Sequence, residues 1–124
     1  MFDFFINILA VSIGGTIGAQ SRYVLSGKVK IDSPIPFGTY TVNVLGSIGL
    51  GAFVVLSKLL PFPGWLVLLI GTGFFGCFTT MSTFAVESLG LSEQSNKLAV
   101  ENIVLMIVSV LLGALLGEAI LNLL

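Results

Sequence analysis

Four long stretches without a charged residue occupy most of this 124-residue chain, and they limit its fold more than any other feature. Each is close to the roughly 20 residues that a helix needs to cross the hydrocarbon core of a bilayer. Backbone N–H and C=O groups left unpaired in hydrocarbon cost free energy, so each stretch is predicted to be helical wherever lipid surrounds it. The uncharged stretches are residues 4–21, 33–57, 59–86 and 102–117.

Composition places the whole chain in a membrane. Hydrophobic residues make up 56% and charged residues 9% of the sequence, and the mean hydropathy is +1.11. A soluble domain carries roughly 25% charged residues, and no soluble fold could bury so much apolar surface. We therefore predict an all-α integral protein of the cell membrane, with residues 1–124 forming one domain of four transmembrane helices. The approximate spans are 4–25, 36–57, 62–88 and 99–122.

The same composition excludes several functions. The chain has no histidine, a single cysteine, Cys77, and a formal net charge of −1. Nucleic-acid binding, a histidine metal site and an internal disulfide therefore lack suitable residues. No serine or cysteine has a base beside it and no carboxylates are paired, so we predict neither an enzyme nor an organic cofactor. No acidic residue lies at the centre of a span, which argues against proton-coupled transport.

The third span contains a concentration of weak helix formers. Gly71, Gly73 and Gly76 are followed by the hydroxyl-rich segment 79–83, all in the middle of the predicted span. Glycine and threonine are both unfavourable in a helix interior. We predict a break in this helix between Gly76 and Thr80, where protein or water must cover the exposed peptide groups.

Small residues share one face in each of the first two spans. Gly14, Gly15 and Gly18 lie on one face of the first helix, and Gly46 belongs to a similar pattern in the second. Small residues let helices approach closely in a bilayer, where apolar burial gives little driving force between them. We interpret these glycines as helix-packing positions.

Few polar side chains lie within the spans, and Asn43 is the most informative. It lies several residues inside the second span, where an unpaired amide is costly, so it should face protein or a wet cavity. Its N–H groups could donate to an anion. Arg22 ends the first span and fits a side chain that snorkels to the interface about as well as a functional one. Glu87 likewise fits an interfacial carboxylate, and Ser109 fits a hydroxyl bonded to its own helix.

Basic residues give a slight orientation bias. Lys28, Lys30 and Lys97 lie in the first and third connections, whereas Lys58 lies in the second. By the positive-inside rule, this favours an N-terminus outside the cell. So few charges also permit insertion in both orientations, and two subunits of opposite orientation could then pair.

Three motifs together resemble the Fluc (CrcB-type) fluoride channel family. Their order, their spacing and the chain length fit that family, and Glu87 follows the third motif where the family expects it. The resemblance covers the first three spans well and the fourth poorly. The motifs are Gly14-Gly15-x-x-Gly18-Ala19-x-x-Arg22-Tyr23, Gly38-Thr39-x-x-Val42-Asn43-x-x-Gly46 and Gly73-Phe74-x-Gly76-x-Phe78-Thr79-Thr80-Met81-Ser82-Thr83-Phe84.

This resemblance implies a passive, fluoride-selective channel that lets a bacterial cell expel fluoride. It implies an antiparallel, dual-topology dimer with two fluoride pathways along the subunit interface and a structural sodium ion at the dimer centre. The backbone carbonyls of Gly76 and Thr79 from each subunit would hold that sodium, since carbonyls freed from a helix are good ligands for a hard cation.

The resemblance also assigns pathway residues. Asn43 would line the pathway, and the family's paired phenylalanines map to Met81 and Phe84. An aromatic ring edge carries partial positive charge and can face a partly dehydrated fluoride, whereas a thioether cannot do so in the same way. By the same resemblance, Thr80, Ser82 and Thr83 belong to the polar surroundings of the break, Arg22 lies at a vestibule, and Ser109 is the pathway serine of the fourth span.

Two departures from the family pattern leave open whether the partner subunit is identical to this chain. Met81 replaces an aromatic residue, and Leu105 stands where the family tends to carry a tyrosine one turn before the serine. The partner could be an identical copy that tolerates the methionine, or a paralogue that supplies the missing groups.

Two other functions stay as alternatives. A small proton-coupled multidrug exporter would need a carboxylate in the first span, and that span, residues 4–25, contains no Asp or Glu. A non-conducting membrane assembly subunit would explain the small-residue faces and tolerate Met81. It would not explain Asn43 or the break in the third span.

Overall fold

The computed structural model describes residues 1–123, and this part of the chain is helical apart from short connections. Within it, four helices are long and apolar enough to cross a membrane: Phe2–Lys28, Phe37–Leu59, Gly64–Gln94 and Asn96–Asn122. The predicted all-α fold with four spans is therefore confirmed, and the chain is a multi-pass membrane protein. The third span continues to Gln94, beyond its predicted end at residue 88.

The third span is built from several pieces. A short α-helix leads into a π-helical segment, a second short α-helix, two extended residues and a longer α-helix. π-helical turns are rare and are frequently found at functional sites. In chain order the elements are α1 (Phe2–Lys28), α2 (Phe37–Leu59), α3 (Gly64–Val67), the π-helical segment (Leu68–Phe75), α4 (Gly76–Phe78), α5 (Met81–Gln94) and α6 (Asn96–Asn122).

The predicted break in the third span is confirmed. Thr79 has φ −82° and ψ 160°, and Thr80 has φ −146° and ψ 122°. Both are extended conformations, so the helical hydrogen-bond ladder stops between α4 and α5. The chain resumes as a helix at Met81, with Thr80 as its N-cap residue.

The helices pack as two parallel pairs. α1 lies along the first half of the third span, and α2 lies along α6. Contact is close at glycines: a Cβ atom on Gly14 or Gly18 would overlap the backbone carbonyl of Leu69 or Phe74, respectively. Gly117 of α6 meets the α2 backbone in the same manner.

The other glycines predicted to mediate packing also meet the third span. A Cβ on Gly15 would lie 3.1 Å from the Cys77 Sγ atom. Gly46 of α2 faces the side chains of Phe78 and Thr79, at the edge of the break. These small residues therefore bring α1 and α2 close to the segment in which the helix is interrupted.

Substituting alanine at Gly18 should destabilise the protein. The added methyl group would overlap the carbonyl oxygen of Phe74, and a backbone atom cannot swing aside as a flexible side chain can. We expect a loss of about 1–3 kcal/mol, typical of overpacking. Thermal unfolding in detergent would measure it. Gly90→Ala is the matched control, because Gly90 is exposed in α5 and its Cβ would meet nothing within 4 Å.

Candidate functional site

The two extended residues in the third span expose peptide groups that a continuous helix would have paired. Asn43 of α2 pairs with the backbone of Thr80: its Nδ2 donates to the Thr80 carbonyl at 3.0 Å, and its Oδ1 accepts from the Thr80 N–H at 2.7 Å. Both residues are buried, each 8% exposed. The amide oxygen thus replaces the helical acceptor that the Thr80 N–H has lost, as a break inside a membrane requires, and the amide nitrogen adds a donor to the Thr80 carbonyl.

Arg22 also reaches the break. Its Nη1 donates to the carbonyl oxygen of Thr79 at 3.3 Å. The side chain is therefore directed at the interrupted backbone rather than extended along the helix to the membrane surface. A guanidinium beside freed carbonyls places a fixed positive charge next to the break, since arginine stays protonated in proteins.

Hydroxyl groups gather at the start of α5. The Thr80 Oγ1 atom accepts from the Thr83 backbone N–H at 3.2 Å, which caps the helix. The same oxygen lies 3.0 Å from the Thr83 hydroxyl and 3.4 Å from the Ser82 hydroxyl. The three polar residues predicted to surround the break thus form one cluster with it.

An open groove of about 800 Å³ runs between α2, α5 and α6, with the break in its wall. Asn43, Thr79 and Thr80 line it together with apolar side chains. Met81 and Phe84 both line the groove, but Met81 is 74% exposed whereas Phe84 is 7% exposed. The phenylalanine ring is thus held in place by its neighbours, while the methionine projects away from this chain.

A second cleft, of about 500 Å³, lies beside the connection between α1 and α2. Thr39, Thr83 and Glu87 line it, with Lys30 also among the lining residues. The Thr39 hydroxyl donates to Glu87 Oε1 at 2.8 Å. Because Thr83 belongs both to this cleft and to the hydroxyl cluster at the break, polar groups connect the cleft to Asn43.

Sequence reasoning did not single out Thr39 as a site residue. The signal was present, because Thr39 precedes Asn43 by four residues and Glu87 follows Thr83 by four. Residues four apart share a helix face. Both helices therefore carry a pair of polar residues on one face, and these faces meet across α2 and α5.

Ser109 is not brought to the break. Its hydroxyl lies within hydrogen-bonding range of the Tyr40 hydroxyl of α2, and Ser109 is not among the residues that line the groove. Tyr40 was not among the predicted site residues. Its hydroxyl pairs with the serine of the fourth span, in which Leu105 takes the place of the tyrosine that the family resemblance leads one to expect.

The carbonyls predicted to bind sodium suit a hard cation. The Thr80 N–H, which would bond the Gly76 carbonyl in a continuous helix, is donated to Asn43 instead. Gly76 is exposed, and a Cβ there would meet nothing within 4 Å. Thr79 O accepts the 3.3 Å bond from Arg22 and has a second lone pair. Among residues 1–123, no cluster of three or more His, Cys, Asp or Glu side chains could hold a metal.

Comparison with known proteins identifies relatives along most of the chain. A family model described as "CrcB-like protein, Camphor Resistance (CrcB)" matches residues 9–119. A Rhodopseudomonas palustris protein named "Fluoride-specific ion channel FluC 2" is 36% identical over 121 residues, which cover 91% of this chain and 91% of that protein.

Two further relatives are similar over a shorter region. The "Fluoride-specific ion channel FluC 1" of Nocardia farcinica is 46% identical over 88 residues, covering 69% of this chain and 59% of that protein. The "Fluoride-specific ion channel FluC" of Methanocaldococcus jannaschii is 41% identical over 88 residues, covering 71% of each.

Proposed function

This chain belongs to the CrcB-like family, and from that membership and the geometry of its broken helix we propose that it is a passive, fluoride-selective channel. The observation that carries the proposal is the pairing of Asn43 with Thr80 in the wall of an open groove. A simple packing subunit has no need of an interrupted helix with its peptide groups held in place by a buried amide. An ion pathway does, because it needs fixed donors inside the membrane.

Asn43 can offer an N–H group to an anion without giving up the Thr80 carbonyl. Its Nδ2 carries two hydrogens, of which one serves the bond to Thr80. The other partner of Nδ2 is the Met106 Sδ atom at 3.7 Å. A thioether is a weak acceptor, so a fluoride ion would displace it readily. The amide would then hold the break and contact the ion at the same time.

Phe84 supplies the apolar part of the pathway. Its ring is mostly buried and lines the groove, where a ring edge can face a fluoride that has lost part of its hydration shell. Such contacts are weak enough to release the ion again. The hydroxyls of Thr80, Ser82 and Thr83 would replace water around fluoride on the way to the cleft at Thr39.

A second subunit would cover the groove. The groove is open in the single chain and lined mainly by apolar side chains, and Met81 projects from it with 74% exposure. We propose that an antiparallel partner packs there, so that a two-fold axis in the membrane plane places the two breaks side by side. Each of the two pathways would then run between residues of both subunits. The partner is a second copy of this chain or a paralogue.

The centre of this dimer would bring together freed carbonyls from two breaks. Gly76 and Thr79 would supply them, and a sodium ion held there would neutralise their negative ends and join the subunits. Within this chain, Asn43 orients the break by holding Thr80, and Arg22 holds the Thr79 carbonyl in place.

Passive conduction is sufficient for fluoride export. Hydrogen fluoride crosses a bilayer as a neutral acid and releases fluoride in the more alkaline cytoplasm, where the anion is trapped by the cost of burying its charge. A selective pore then lets fluoride leave down its electrochemical gradient. The sequence contains no phosphate-binding loop of the GxxxxGK[ST] type, as expected for a transport process that uses no nucleotide.

Efflux from proteoliposomes tests the proposal. We expect vesicles that contain this chain alone and are loaded with potassium fluoride to release fluoride rapidly once valinomycin is added, and vesicles loaded with chloride to release almost none. An ion-selective electrode follows both. Equal release of both anions would refute the proposal. Fluoride release that begins only when a paralogous chain is added would support the channel but reject the homodimer.

A further inference from the structure

Ser88 lies one helical turn beyond Phe84 on the groove side of α5. It lines the groove and is 8% exposed. Its hydroxyl donates to the Phe84 carbonyl at 2.8 Å. That carbonyl is also the acceptor for the Ser88 backbone N–H in a regular helix, so the hydroxyl bond is a second, dispensable bond.

Asn102 of α6 stands directly behind this serine. Its Nδ2 donates to the Ser88 Oγ atom at 3.0 Å. Asn102 is completely buried, and its Oδ1 atom has no hydrogen-bond partner in the part of the chain that the structure describes. Burying an amide with an unpaired oxygen in a membrane helix costs free energy, and an apolar side chain would pack there without that cost. The asparagine is therefore expected to serve a purpose. Within residues 1–123, the Asn102 side chain forms one hydrogen bond, the bond to Ser88.

We propose that the Ser88 hydroxyl is an additional fluoride contact, one turn beyond Phe84, and that Asn102 positions it. This inference rests on the proposed channel function. When fluoride passes the ring of Phe84, the Ser88 O–H rotates away from the Phe84 carbonyl and donates to the ion. The Asn102 N–H stays bonded to the same oxygen, which strengthens the O–H donor and limits its rotation.

This arrangement gives the route a polar step in a wall that is lined mainly by apolar side chains. Ala85, Leu89 and Ile103 line the same groove as Ser88. A small anion that leaves an aromatic edge needs a hydrogen-bond donor before it reaches water again, because each stretch of the route without a donor adds to the free-energy cost of its lost hydration. A neutral hydroxyl provides a donor and adds no fixed charge that would trap the ion.

The test compares three serine variants in the fluoride-efflux assay. We expect Ser88→Ala to lower the fluoride flux per channel roughly tenfold or more, as for loss of one hydrogen bond to a charged group. Ser88→Thr should stay within about twofold of the unsubstituted protein, because it keeps the hydroxyl. Ser57→Ala is the matched control: its hydroxyl donates to the Val54 carbonyl at 2.9 Å in α2, away from the groove.

Asn102 is tested in combination with Ser88. Asn102→Leu should lower the flux by a similar factor. The double variant Asn102→Leu/Ser88→Ala should conduct no more slowly than Ser88→Ala, because both substitutions disrupt the same hydrogen-bonded pair. Gel filtration confirms that each variant assembles. An unsubstituted protein that passes no fluoride would refute the channel itself. A conducting protein in which Ser88→Ala matches Ser57→Ala, or in which Ser88→Thr fails as badly as Ser88→Ala, would overturn this inference alone.

Discussion

Asn43→Asp should nearly abolish fluoride conduction. Ionised aspartate keeps the size of asparagine but has no hydrogen to donate, either to the Thr80 carbonyl or to an anion. The Thr80 carbonyl would lose its side-chain donor in a buried site, and an ionised carboxylate would repel fluoride there. We expect a fall in flux on the order of 100-fold, equivalent to about 2.7 kcal/mol, from the loss of the donor alone.

The control for this variant makes the same substitution elsewhere. Asn122→Asp changes an exposed residue at the end of α6, so it should leave the flux unchanged. Asn43→Ser would separate an effect on folding from an effect on conduction. The serine hydroxyl introduces no buried charge, but it is too short to bond to both the N–H and the carbonyl of Thr80. Dimer content is measured for every variant by gel filtration. Normal fluoride efflux from assembled Asn43→Asp protein would remove this amide from the pathway.

The break in the third span could be predicted because its cause is local. Glycines and hydroxyl residues follow one another between Gly71 and Thr83, and their weak helix propensity acts regardless of what packs against them. The requirement that Asn43 face protein or water was also local, since it follows from the position of a polar residue in an apolar stretch. Both deductions need only one helix at a time.

The partners of these polar groups could not be predicted in the same way. The Asn43 amide meets a backbone 37 residues away in sequence, and Arg22 meets one 57 residues away. Such contacts depend on how each helix is rotated about its axis and how far it is shifted along its neighbour. Glycines indicate where two helices approach, but many rotations satisfy one small-residue face.

In the fourth span, contacts that depend on helix rotation could not be predicted from the sequence. Asn102 begins the last uncharged stretch and is fully buried against Ser88, yet an asparagine near a span end fits an interfacial position just as well. The pairing of Ser109 with Tyr40 was equally hidden, because it joins two parallel helices that are not adjacent in sequence. The π-helical segment Leu68–Phe75 was missed too, since its apolar composition does not distinguish it from an α-helix.

Phe84→Ile should lower fluoride flux strongly while leaving the dimer assembled. Isoleucine keeps most of the apolar volume but has no ring, so the partly positive edge that faces the ion is lost. We expect the flux per channel to fall about tenfold, which corresponds to about 1.4 kcal/mol. The same electrode assay measures it, with flux normalised to the amount of dimer.

Phe53→Ile is the matched control for the loss of a ring. Phe53 is 8% exposed, close to the 7% of Phe84, and it stacks on Phe62 without lining the groove. Both substitutions should therefore cost similar stability by leaving a small cavity, seen as similar shifts in thermal unfolding. Only Phe84→Ile should slow fluoride. Equal flux in the two variants would mean that Phe84 acts through packing, and the ion would then have to pass the break without touching an aromatic edge of this chain.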